Sequence, residues 1–217
     1  MGVVACVNAI IDPYRLFNTP DLTGVNKYRS KFFFHQLQSK PYAARHRHAD
    51  AIILGVSRAG SGFATDHPGW KGYNVYNFAV GGSSAYIHWR NYQHAKANGH
   101  IKRVLITLDF FSYNALYHSA DLPEWREYDE RLTVTSANRR NLRFPERWFK
   151  DHTQALLSFE TLRDSWQTYQ DQAEIEMGKS RRATLTASGF WINDLPPSMS
   201  QRFAFRMIEK QYMSEMW

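Results

Sequence analysis

The sequence predicts an α/β fold, a parallel sheet held between layers of helix in three-layer order. Three observations carry that expectation. Three short apolar runs, at residues 49–54, 73–80 and 103–108, are rich in β-formers, and each closes on glycine or polar residues. A stretch with helical periodicity, residues 85–97, separates the second run from the third, and such alternation belongs to parallel strands joined by right-handed crossovers. The chain has 217 residues, of which 43% are hydrophobic and 22% charged, enough for one sizeable core.

The elements follow in order. From Gly2 to Ile11 no charge occurs before Asp12. The stretch is too short to span a bilayer and lacks the charged start of a signal peptide. It reads either as the end of a longer apolar helix or as a buried N-terminal strand or turn. Asp12-Pro13-Tyr14 breaks it, residues 16–26 read as loop, and the basic residues 40–48 form a short helix. The first strand, 49–54, runs into Gly55-Val56-Ser57-Arg58, which sets Ser57 at the C-terminal edge of the sheet, where open α/β sheets place ligands. Ser57 is a candidate nucleophile, or the cap of a following helix. The second strand ends in Gly81-Gly82-Ser83-Ser84, with Ser84 as cap of a helix that Asn98-Gly99 terminates. The third, a buried strand at 103–108, ends at Asp109. Ser57, the 81–84 turn and Asp109 are thus expected on one edge, with the first strand between the other two.

Beyond residue 110 the strand pattern dissolves, and residues 145–177 are helical with a break near Ser158. Leu156, Phe159, Leu162, Trp166 and Tyr169 make an apolar stripe expected to face the core. Residues 179–182 form a solvated basic run, 184–193 hold a short strand, and 198–217 are helical with Phe203, Met207 and Tyr212 on one face. Doubly wound sheets usually have about five or six strands. Three strands therefore lead to the expectation of a C-terminally incomplete domain, inactive as it stands, whose third strand needs later strands to cover it.

Composition narrows the function. The net charge is +7, which suits anionic surroundings, but the basic residues are scattered and do not suggest a nucleic-acid partner. A single cysteine, Cys6, excludes an internal disulfide or a cysteine-rich zinc site. His46/His48 and His88/His94 lack the i, i+4 spacing of a helical zinc pair, so no metal or cofactor is expected. Residues 55–60 lack the Lys-Ser/Thr ending of a phosphate-binding loop, and Ala59 stands where a nucleophile elbow has its second glycine.

Ile52-Ile53-Leu54-Gly55-Val56-Ser57 resembles the first block of the SGNH/GDSL hydrolase superfamily, with Val56 in place of the usual Asp. Residues 75–82 resemble its second block and 104–109 the strand of its third. The third block's Gly-x-Asn-Asp is replaced by Leu108-Asp109-Phe110-Phe111, and no Asp is followed three residues later by His, the superfamily's base motif. Taken together with Asp12-Pro13-Tyr14 and Tyr76-Asn77-Phe78-Ala79, these blocks look like a group of bacterial, membrane-anchored SGNH-like proteins.

The resemblance implies an SGNH/flavodoxin-like domain over residues 49–217, with a helical insertion at about 110–217. An extension would occupy 12–48, and the remnant of an N-terminal membrane helix 1–11. It implies Ser57 as nucleophile, the Gly82 N–H as oxyanion donor and Asp109 as a site carboxylate. Arg58, Asn77, Ser83 and Asn114 would bind substrate. The implied function is a serine esterase or O-acyl/acetyltransferase acting on an extracytoplasmic glycan or lipid, in the periplasm and anchored to the inner membrane. The alternative is a non-catalytic module that binds glycan or protein.

Overall fold

A computed structural model describes residues 1–113, 123–176 and 184–192. Its centre is a three-stranded parallel sheet of β1 (Ala51–Leu54), β2 (Val75–Asn77) and β3 (Arg103–Ile106), with β1 in the middle. Ala51 pairs with Val75 on one side and Arg103 on the other. The strand identities, the parallel sense and the central place of β1 are those expected from the sequence. β1 is apolar on both faces because both are covered, as in parallel sheets generally.

On one face Ile52, Leu54, Tyr76 and Phe78 pack with Ala44 of α3 (Gln36–Arg47) and Ala95 of α5 (Ala85–Asn98). On the other, Ala51, Ile53 and Val75 pack with Ala59 of the short α4 (Ser57–Gly62) and with Ala79. Helix α3 is longer than its basic stretch suggests. It starts at Gln36 and carries Pro41 inside, and His94 Nε2 meets the Pro41 carbonyl at 2.9 Å.

The remaining described elements are mostly helical: α1 (Gly2–Ile11), α2 (Ser30–Phe34), α6 (Pro123–Glu130), α7 (Phe144–Leu157) and α8 (Phe159–Glu176). Ser158 separates α7 from α8, at the expected break. The N-terminal stretch is a ten-residue helix packed on α7 and α8. Asn8 anchors it by donating to the carbonyls of Ala155 and Leu156, which the end of α7 leaves without helical partners, and to that of Ser158, which also accepts from Leu162 N–H. Among the described residues no helix is long and apolar enough to cross a membrane.

Three expectations are corrected. β3 is an edge strand, not a buried one: Val104 and Ile106 are about half exposed, since nothing among the described residues pairs with its outer side. The 184–193 region is a hairpin, β4 (Thr184–Leu185) against β5 (Trp191–Ile192), and its turn closes the free side of β2 through Asn77 N–H to Ser188 O at 2.8 Å. The apolar stripe of α8 faces outward, with Phe159 68% and Trp166 60% exposed. Its opposite, polar side is buried and paired: Ser165 with Asn8, Asp164 with Tyr14, and Asp171 with Ser30. Residues 179–182 and 198–217 lie outside the described residues.

Candidate functional site

The chain must leave β1 in a narrow space. Gly55 has φ +150°, and a Cβ there would lie 2.0 Å from Thr107 Oγ1 and 2.7 Å from the Ala59 Cβ. Only glycine lets the strand turn into α4 against the end of β3. Val56 occupies the N-cap of α4 with no side-chain cap, so Ser57 is the first helical residue rather than its cap. Ser57 is exposed, and its hydroxyl makes no hydrogen bond among the described residues.

The three strand ends meet, and three serine and ionic contacts tie them. Ser83, buried in the turn after β2, sends its hydroxyl to Val80 O at 2.7 Å and lies 3.3 Å from Gly55 O. Ser112 Oγ, in the 3-10 turn 110–113 after β3, donates to Ser83 O at 2.9 Å. Arg58 Nη2 meets Asp109 Oδ1 at 2.6 Å, linking α4 to the β3 end. Gly82 sits at the exposed tip of the middle turn with φ +66°. Leu108, Asp109, Phe110 and Tyr113 line an open cleft of about 680 Å³ beside these turns. Leu108 and Phe110 are about four-fifths exposed, an uncommon concentration of apolar surface at a strand end.

The sequence-expected residues therefore divide. Ser57, Arg58, Gly82, Ser83 and Asp109 do belong to the turns at one edge. Asp109 is paired with Arg58, and Ser83 is buried with its hydroxyl engaged. Asn77 is fully buried. Its Nδ2 donates to the carbonyls of Ala59, Gly60 and Phe63, and its Oδ1 accepts from Ala79 N–H. It holds α4 against β2 and has no face open to substrate. Asn114 lies outside the described residues.

One histidine stands at this edge that sequence reasoning weighed only as half of a metal pair. His88 Nε2 lies 2.9 Å from Ser83 Oγ. That hydroxyl gives its proton to Val80 O, so the imidazole is the donor and its buried Nδ1 is an acceptor with no partner among the described residues. Burial pushes His88 down to about 4, against the opposing pull of the Asp109 charge. Helical spacing was the available signal: His88 lies one turn after the cap Ser84 and on the side facing Ser83. His67, an alternative base for Ser57, is exposed and accepts from Gly69 N–H at 3.1 Å in its own turn. His118, the other alternative, lies outside the described residues. Among the described residues no three His, Cys, Asp or Glu side chains are grouped to hold a metal ion.

No family model, curated protein or solved structure matches the chain.

Proposed function

We propose that the strand-end edge is an acyl-ester site of SGNH-like design, in which Ser57 is the reacting hydroxyl. The observation that supports this is the placement of an exposed, unpartnered Ser57 on a glycine-forced turn, beside two further turns bonded to one another. In such a step Ser57 Oγ adds to an ester carbonyl, its proton passes to a base, and the alcohol leaves as the acyl-enzyme forms. Backbone N–H groups at the start of α4 are the elements that would face the developing oxyanion, since in the 81–84 turn Gly81 N–H goes to Gln36 Oε1 and Ser83 N–H to Val80 O. The exposed guanidinium of Arg58 suits an anionic group on the substrate. Extracytoplasmic glycan or lipid esters remain the proposed substrate class.

A second reading is favoured by a specific observation. Asp109 is held by Arg58, His88 by Ser83, and no described histidine or carboxylate reaches Ser57. A non-catalytic glycan- or protein-binding module has this arrangement. A fluorophosphonate probe separates the two. Covalent labelling that Ser57→Ala removes is the result expected of the esterase reading. A folded wild-type protein that takes no label overturns it in favour of the module.

A further inference from the structure

We propose that two copies of the chain join antiparallel through the outer edge of β3, so that two three-stranded sheets become one of six strands. In a parallel ladder alternate residues point both backbone groups at the same neighbour. Arg103 N–H goes to Asp50 O and Thr107 N–H to Leu54 O, so residues 103, 105 and 107 face β1. The N–H and C=O groups of Val104, Ile106 and Leu108 therefore point away from the sheet, and no described residue pairs with them. The same three residues carry the exposed apolar side chains of this run, 42%, 45% and 78% exposed. Soluble proteins blunt such an edge with charge or proline. Residues 104–108 read Val-Leu-Ile-Thr-Leu and contain neither.

The neighbouring helix extends the surface. Val104 and Ile106 pair in register with Ile52 and Leu54, and so share the sheet face that α5 covers. On α5, Arg90 and His94 turn toward Asp129 and toward Pro41 of α3, which lies over β2. Trp89 and Tyr92, ring against ring, occupy the opposite flank, on the side of β3. Trp89, Val104, Ile106, Leu108 and Phe110 expose on the order of 600 Å² of side chain per copy. That is most of the ~800 Å² that each partner of a standard interface buries, and the strand backbone adds to it.

A second copy is the occupant that fits, and charge sets the register. Lys102 and Arg103 precede the apolar run and Asp109 closes it. An antiparallel mate brings the basic start of one copy to the acidic end of the other. A two-fold axis centred on Ile106 pairs Ile106 with its own image, Val104 with Leu108 and Arg103 with Asp109. It also satisfies the outward backbone groups of all three apolar residues at once. Centring the axis on Arg103 instead opposes like charges and leaves Leu108 without a mate. This surface rests on β3 and α5 rather than on Ser57, and the inference stands whether or not Ser57 reacts.

The test uses the full chain. Light scattering over a dilution series is expected to find a dimer that dissociates on dilution. Ile106→Lys sets two ammonium groups face to face at the two-fold axis and should weaken the dimer at least about a hundredfold. Trp166→Ser, at an exposed ring of α8, should leave it unchanged. Cross-linking in a Cys6→Ser background, which removes the single native thiol, reads the register even if Ile106→Lys folds poorly. Opposite residues of a hydrogen-bonded antiparallel pair have Cα atoms about 5.5 Å apart, within disulfide range. Ile106→Cys should therefore close an intermolecular disulfide, and Val104→Cys, whose image lies further along the ladder, should not. The proposal is overturned by a wild type that stays monomeric up to about 1 mM. It is overturned as well by a dimer that survives Ile106→Lys, or by Val104→Cys closing as readily as Ile106→Cys. A monomer whose Ile106 N–H resists hydrogen exchange also overturns it, since another segment of the same chain is then the occupant.

Discussion

At the scale of single residues, Asn77 and Gly55 set the geometry around Ser57 without touching it. The Asn77 amide satisfies three carbonyls, two of them in α4 and one just past its end. In Asn77→Ala those acceptors lose a common donor inside the protein. The expected cost is about 2–4 kcal/mol, seen in urea as a lower midpoint with an unchanged slope. A midpoint within experimental error of wild type would show the amide to be incidental. Gly55→Ala meets Thr107 and Ala59 at distances no Cβ tolerates. It should cost roughly 3 kcal/mol or more and, in the esterase reading, slow labelling of Ser57 in whatever protein remains folded.

At the scale of elements, two buried side chains hold pieces of the fold that have little core of their own. Lys40 is fully buried and points its ammonium at the carbonyls of Asn77, Ala79 and Gly189. Burial pushes its pKa well down, yet three acceptors call for three N–H bonds, which only the charged form has. Lys40 joins α3, the end of β2 and the β4–β5 hairpin. Lys40→Met should therefore loosen the hairpin before the sheet. Hydrogen exchange at Asn77 N–H, which pairs with Ser188, is expected to speed up while that of β1 holds. Equal acceleration in both would show that the hairpin has no independent opening. Asn8 plays the same part for α1, and Asn8→Ala should cost ~2–4 kcal/mol and expose α1 to protease at concentrations that spare the wild type.

At the scale of the whole molecule, acid is the expected weakness. His94 Nδ1 accepts from Thr133 N–H, so Nε2 carries the single proton and gives it to Pro41 O. A second proton would set Nδ1–H against the Thr133 N–H, and burial lowers His94 to about 4, as it does His88. In the unfolded chain both titrate near the ordinary 6.5. Between pH 6.5 and 4 the unfolded state binds more protons, so stability falls as pH falls through that window. At pH 5 the pair should cost on the order of 2–4 kcal/mol relative to pH 7. Below that window Asp151 adds to the loss. Burial raises its pKa, but hydrogen bonds from Arg131 and Tyr42 outweigh burial and hold it below the ordinary carboxylate value. Urea unfolding at pH 7, 6 and 5 checks the prediction, and a flat profile would mean that both imidazoles accept their second proton inside the fold.

The sequence by itself determined the three strands of the parallel sheet and the edge at which their loops meet. Those features rest on local pattern: β1 reads Ala-Ile-Ile-Leu because both its faces are covered, and Gly55 follows because the turn admits no side chain. Arg58, Gly82, Ser83 and Asp109 were legible for the same reason, as the residues that end strands or begin turns. Tertiary structure alone decided which partners those residues found. Asn77 and Ser83 look like site residues in a one-dimensional reading, but burial spends their polar groups on α4 and on the first turn. The stripe from Phe159 to Tyr169 has the period of a core-facing helix, and periodicity fixes which residues share a side without saying which side is inner. That choice fell to Asn8, Tyr14, Tyr28 and Ser30, distant in sequence, whose hydrogen bonds hold the polar side of α8 inward and turn its rings to the outside.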